Sequence, residues 1–162
     1  MYIKSLNQLI KLLHSANNQL EYEKLINSIT FNFIEFEKYF DFSKKKYTRN
    51  LITKNNNFEL FLMCWNSYQK TKIHNHSDSF CISKVITGSL QEYQFIIKNN
   101  KLQLYHSFLH HESDIFNIKN INIFHLLKNI SNSPAISLHL YSKPIIKYIL
   151  YENNRLNLIY LS

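Results

Sequence analysis

Two histidines one residue apart, His74 and His76, are the first groups in this sequence that could do chemistry. Side chains alternate along an extended strand, so an H-x-H pair sets both imidazoles on one side. Two neutral imidazoles at that spacing suit a transition metal. Such a site needs a third donor, and His14, His106, His110, His111, His125 and His139 are the candidates. His14 falls in a predicted helix, far from the strands. His110 and His111 fall in a predicted loop beside Glu112. His125 stands inside the apolar run Ile121 to Leu127. A histidine buried there needs a polar partner, which a metal would supply.

Further groups follow the same period of two. Ser137, His139 and Tyr141 occupy i, i+2 and i+4 of one apolar stretch, so all three share a face, with Leu138 and Leu140 on the other. They form a polar row able to hydrogen-bond in series. Tyr47 and Arg49 also share a face. Arg49 and Arg155 are the only arginines in a chain that otherwise uses lysine. The planar fork of an arginine is well suited to a carboxylate. Cys81 opens the apolar run that follows the histidine pair, and Gly88, the only glycine, ends it at Thr87-Gly88-Ser89. A lone glycine points to a backbone position with positive φ.

The elements that must position these groups divide into two regions. Apolar residues recur at helical spacing over about 2–14 (Leu6, Leu9, Ile10, Leu13) and about 20–29 (Leu20, Leu25, Ile26, Ile29), and a Phe-rich third helix is expected over about 31–40. The period then changes. Strands are expected at about 47–52, 58–65, 80–87, 89–97, 102–109, 123–128, 135–142, 145–150 and 156–160. Asn55–Asn57, Asn99–Asn100 and Asn153–Asn154 are turn candidates, because Asn tolerates the left-handed region. Helices followed by many short strands predict an all-β core, a jelly-roll β-barrel over about 45–162 with a short N-terminal helical cap over about 1–40. With no repeat and no linker, residues 1–162 read as a single domain.

The bulk numbers exclude several classes. A chain of 162 residues with 45% hydrophobic residues can build a core and is not disordered. Its formal charge of +8 is spread over scattered lysines, with one run at Lys44–Lys46 and no nucleic-acid motif, so no nucleic-acid partner is expected. Cys64 and Cys81 form no disulfide framework. Lys4, Asn7 and Gln8 interrupt the first segment, and no stretch reaches membrane-spanning length. No membrane partner is expected, and the protein is read as a soluble, cytoplasmic monomer.

The spacing of His74, His76, Cys81 and Gly88 resembles the first metal motif of the cupin superfamily, with Cys81 where most cupins carry an acidic ligand. Together with Tyr47-Thr48-Arg49-Asn50, Met63-Cys64-Trp65 and Pro134 to Ser142, it resembles the cysteine dioxygenases over roughly residues 39–145. The resemblance implies a cupin fold and a non-haem Fe(II) enzyme that oxidises the thiol of L-cysteine with O2 to cysteine sulfinic acid. It implies His74, His76 and His125 as metal ligands and Arg49, beside Tyr47, as the partner of the substrate carboxylate. It places Tyr141, His139, Ser137 and Cys81 in the catalytic surroundings, with a thioether crosslink between Cys81 and Tyr141. Ile123-Phe124 stand where the family has a glycine shortly before the third histidine, and Asn66 to Gln69 replace a glycine-rich turn. Tyr148 lies near the place of a second cysteine common in the family. Two other functions are compatible with the motifs: a dioxygenase for another small thiol carboxylate such as 3-mercaptopropionate, or a non-catalytic metal-binding cupin. Arg49 argues against the first, and the row ending in Tyr141 against the second.

Overall fold

The computed structural model describes residues 2–161, which form three short helices and eleven strands. Helix α1 (Leu6–Ser15) starts later than its apolar stripe suggests, because Ser5 caps it and accepts a hydrogen bond from Gln8 N at 3.1 Å. Ile3, ahead of the cap, makes a parallel bridge to Ile29 instead. Helix α2 (Gln19–Ser28) is capped by Asn18, which accepts from Glu21 N, while the Glu21 carboxylate accepts from Asn17 N. Its buried face carries Tyr22 and Ile26; Leu20, expected on that face, is 61% exposed. The third helix is only Phe33–Phe36 (α3), continued by one 3-10 turn, with Phe36 alone buried.

The strands are β1 (Thr48–Lys54), β2 (Glu59–Trp65), β3 (Ile73–His74), β4 (Phe80–Thr87), β5 (Ser89–Lys98), β6 (Lys101–His111), β7 (Ile115–Ile118), β8 (Phe124–Asn129), β9 (Ala135–Ser142), β10 (Lys147–Glu152) and β11 (Arg155–Tyr160). They form two sheets, ordered β1-β2-β9-β4-β7 and β11-β10-β3-β8-β5-β6, with every named pair antiparallel. The sequence did not reveal β7, which is too short to show a period, and the extended segment read from the H-x-H pair is a strand only over Ile73–His74. The turns at Asn99–Asn100 and Asn153–Asn154 have positive φ at both central residues, the backbone that a two-residue hairpin requires. Asn55 acts differently from the expectation: its side-chain oxygen accepts from Asn57 N and Phe58 N. No helix among the described residues is long and apolar enough to cross a membrane.

The five-stranded sheet is covered on both faces, which explains why its strands lack a clean apolar–polar alternation. Even-numbered residues of β2, β4 and β9 (Leu60, Leu62, Ile82, Leu138, Leu140) pack with Leu9, Leu13, Ile26 and Phe36 of the helices. Odd-numbered residues (Met63, Trp65, Cys81, Val85, Tyr141) face inward and pack with Leu90 and Leu127 of the other sheet. Lys84, even-numbered, lies on the helix side. Its ammonium reaches the C-terminal end of α2 and donates to Asn27 O at 2.9 Å and Ile29 O at 3.0 Å.

Gly88 is where the chain leaves the first sheet and enters the second, since β4 and β5 belong to different sheets. Its φ is +77°, and a Cβ there would lie 2.9 Å from Ala135 Cβ and 3.3 Å from Pro134 O. Gly88→Ala combines left-handed strain with a clash against β9 and its approach. We expect a loss of about 1–3 kcal/mol of unfolding free energy, read as a lower urea midpoint with unchanged slope. An unaltered midpoint would show that this crossing is not tightly packed.

Candidate metal centre

His74 ends β3, His76 follows it, and His125 lies in β8 directly opposite His74. Asn75, between the first two, points the other way and pins the segment. It donates to Ile121 O at 2.9 Å and accepts from Ile149 N at 3.1 Å. The three imidazoles therefore converge. Ring centroids are 5.1 Å apart for His74–His76, 4.7 Å for His74–His125 and 4.8 Å for His76–His125. One nitrogen from each lies within 4.8 Å of the others. His106 and His111 take no part in this cluster.

The electrostatics of the cluster suit a cation. Burial pushes the His74 pKa down to about 3, with His125 adding to the effect. Burial likewise pushes His76 well below the ordinary histidine value. Metal ligation requires neutral imidazoles of this kind. His74 Nδ1 bonds Lys72 O at 2.9 Å and His125 Nδ1 lies 3.0 Å from a Glu92 carboxylate oxygen. With those nitrogens carrying the protons, the Nε2 atoms of both rings are bare. His125 Nε2 is 3.1 Å from His76 Nε2, while His76 Nδ1 is buried with no hydrogen-bond partner. An unpartnered buried nitrogen on one ring and two ring nitrogens 3.1 Å apart fit one divalent ion of the type imidazole binds.

The polar row on β9 is fully buried, not exposed at an edge, because β9 lies between β2 and β4. The indole of Trp65 can only donate, and its Nε1 is 2.9 Å from Ser137 Oγ. Ser137 in turn meets His139 Nε2 at 2.7 Å, and His139 Nδ1 meets Ser83 Oγ at 2.8 Å. Ser83 reaches Cys81 Sγ at 3.6 Å. The proton order that satisfies all of these runs from Trp65 through Ser137, His139 and Ser83 to Cys81. Burial, with the Arg49 charge nearby, pushes His139 down to about 3, so this imidazole is neutral. Ser83 escaped the sequence reading, although it stands at i+2 from Cys81 on the same inward face.

Tyr141 sits opposite Cys81 in the β4–β9 register. Its ring meets that of His76 edge-on at 5.2 Å. Burial raises the Tyr141 pKa well above the ordinary value and pushes the Cys81 thiol up to about 12, so both keep their protons. Arg49, on the edge strand β1, lays its guanidinium over Phe61 at 4.6 Å and over Tyr141 at 5.3 Å. Tyr47 stacks on Trp65 with centroids 4.6 Å apart. Tyr47, Arg49, His74, Tyr141 and Tyr148 line one pocket of about 270 Å³. Tyr148 stands edge-on to His74 at 6.1 Å. A larger hollow of about 660 Å³, beside Ile97, Ile121 and Leu158, contains none of the three histidines and no arginine.

Two sequence expectations are corrected. His110 and His111 belong to β6, not to a loop; the strand simply runs further than its apolar pattern. His14 is not remote from the strands: it bonds Asn55 at 3.2 Å and packs edge-on against Phe58. The sequence reading also missed Glu92, which is 1% exposed and touches both His125 and His110. Burial would raise its pKa, but hydrogen bonds from His110 and His125 outweigh that and hold it at about 2. The available signal was its place two residues after Leu90 on an inward-facing strand.

Comparison with known proteins agrees with this geometry. The family model for cysteine dioxygenase type I matches residues 2–154. The chain is 35% identical over 153 residues to cysteine dioxygenase type 1 of Danio rerio and 32% identical over 151 residues to that of Bos taurus. In each case 87% of this chain and 76% of the relative are covered. Among solved structures, a Klebsiella pneumoniae protein with a double-stranded β-helix domain superposes with a TM-score of 0.54 at 18% identity, covering 72% of this chain and 94% of that one. That likeness shows the cupin-type fold.

Neutral buried histidines make the metal-free protein sensitive to acid. His74 and His139 have folded pKa values of about 3 against about 6.5 when unfolded. Between those values the unfolded chain binds more protons, so stability falls as pH falls, by about 1.4 kcal/mol per pH unit for each histidine. Urea unfolding of metal-free protein between pH 7.5 and 4.5 should show a constant midpoint above pH 6.5 and a falling one below it. His139→Asn should flatten the fall. A midpoint that holds steady down to pH 4.5 would contradict neutral burial.

Proposed function

The chain belongs to the cysteine dioxygenase type I family and oxidises the thiol of L-cysteine with O2 to the sulfinic acid; from that premise we propose that it works with Fe(II) held by His74, His76 and His125. The observation that carries this reading is the convergence of three imidazoles, one of which, His74, lines a pocket together with Arg49 and Tyr141. Bound there, Fe(II) would supply a template for thiol and O2 and the means to activate O2. Three neutral ligands leave the positive charge of the ion uncompensated, which favours an anionic sulfur. Both oxygen atoms end on sulfur, and sulfur supplies the electrons.

The other residues bind and orient. Arg49 borders the pocket and receives the substrate carboxylate through its fork of donors. Tyr47, held by its stack on Trp65, forms the wall beside it. Tyr141 keeps its proton and presents a phenol donor to the pocket. The sequence of hydrogen bonds from Trp65 to Ser83 fixes His139 next to that ring, with the His139 and Tyr141 rings 6.4 Å apart and nearly parallel. Ile145 and Leu150 keep the inner wall apolar. We propose that the working unit is a monomer.

Cys81 and Tyr141 are proposed to form a thioether. Joining the two is a two-electron oxidation: the S–H and one ring C–H are lost, an S–C bond forms, and O2 accepts the two electrons and two protons. The crosslink would hold the phenol in place and is a refinement of activity, not a condition for it. Peptide mapping after aerobic turnover should find a Cys81–Tyr141 linked peptide that depends on iron and O2. Only unlinked peptides after many turnovers of iron-replete enzyme would rule it out. Cys81→Ser should stay active but slower, and Tyr141→Phe should lose more.

Arg49→Ala tests the carboxylate assignment. The expected loss with cysteine is about 1.5–3 kcal/mol, the range for a hydrogen bond to a charged group, and should appear mainly in KM. Cysteamine, which has no carboxylate, should be affected much less. Equal damage to both substrates would make Arg49 structural.

A further inference from the structure

A buried carboxylate stands behind the histidine cluster and takes no part in the chemistry described above. Glu92 lies in β5, with Leu127 of β8 on one side and Phe108 of β6 on the other. Its neighbour two residues on, Gln94, is opposite His125. The carboxylate is fully engaged: one oxygen meets His125 Nδ1 at 3.0 Å, and the other meets His110 Nε2 and Gln94 Nε2, both at 3.2 Å. His110 is itself held, its ring stacked on Phe116 at 3.9 Å and 8°. The fold alone gives no reason for this arrangement, because replacing a buried charged pair by apolar residues of similar size is often neutral or stabilising. A metal site does give one, since a ligating imidazole needs its second nitrogen bound to hold tautomer and orientation.

We propose that Glu92 is a positioning residue for the metal centre: it accepts the Nδ1–H of His125 and so turns the bare Nε2 toward His76, while His110, braced on Phe116, holds the far carboxylate oxygen in line. His110 thereby acts on the centre at one remove, from the outermost strand of the sheet. The inference rests on the three-histidine reading of the metal site.

The test uses Co(II) as a visible probe, with affinity from equilibrium dialysis and ligand geometry from the absorption bands. Glu92→Gln is nearly isosteric and should remain folded by circular dichroism. It should bind Co(II) about 10–100-fold more weakly, as loss of such outer partners does, and with shifted bands. His110→Asn should weaken binding in the same direction and by less, because Gln94 still donates to that oxygen. His125→Ala should abolish binding. Wild-type affinity and bands in Glu92→Gln, with binding lost in His125→Ala, would overturn this inference alone. Wild-type affinity in His125→Ala would overturn the three-histidine site and this inference with it. Where Glu92→Gln fails to fold, His110→Asn decides: unchanged affinity and bands there would overturn the proposal.

Discussion

The register of β9 between β2 and β4 is the constraint on which the rest of the molecule depends. Directly paired residues of antiparallel strands share a face, so Cys81 opposite Tyr141, Ser83 opposite His139 and Val85 opposite Ser137 place a complete polar row on the inward side. The β2 register adds Met63 opposite Ser137, beside the indole that donates to it. The even-numbered residues of the same strands form the floor on which the helices pack. A slip of one residue would send His139 and Tyr141 into the helical interface and Leu138 and Leu140 into the pocket. Core and site are thus two faces of one sheet.

The second sheet supplies the opposite kind of group. Its inward face carries three imidazoles, two of which burial holds neutral far below the ordinary histidine range, and one carboxylate held ionised by its neighbours. Neutral nitrogens together with a single compensated anion favour a divalent cation between the sheets. The arginine comes from neither centre. It sits on the edge strand β1, stacked over Phe61 and Tyr141, where the pocket opens.

Much of this was legible in the sequence because strands have a period of two. The H-x-H pair, the Ser137-His139-Tyr141 row and the Tyr47/Arg49 pair all read correctly as groups sharing a face. His125 could be singled out as a polar residue in an apolar run, although among six candidate histidines only the family resemblance selected it. Other features were hidden for physical reasons. β7 is four residues long, too short to show any period. The apolar face of α2 was read correctly at Leu25, Ile26 and Ile29 but not at Leu20, which faces solvent, while Tyr22, whose hydroxyl reaches Ala16 O, is buried. Glu92 and His110 meet across two strands eighteen residues apart in sequence, a pairing that only register reveals.

The most direct test of the central claim is single-turnover labelling. Metal-free protein is loaded anaerobically with Fe(II), supplied with L-cysteine, and exposed to ¹⁸O₂. Cysteine sulfinate with both oxygens labelled, formed only with iron and not by His125→Ala, is the predicted result. Sulfinate formed equally well without iron, or cystine as the only oxidised product of the fully loaded protein, would contradict the assignment.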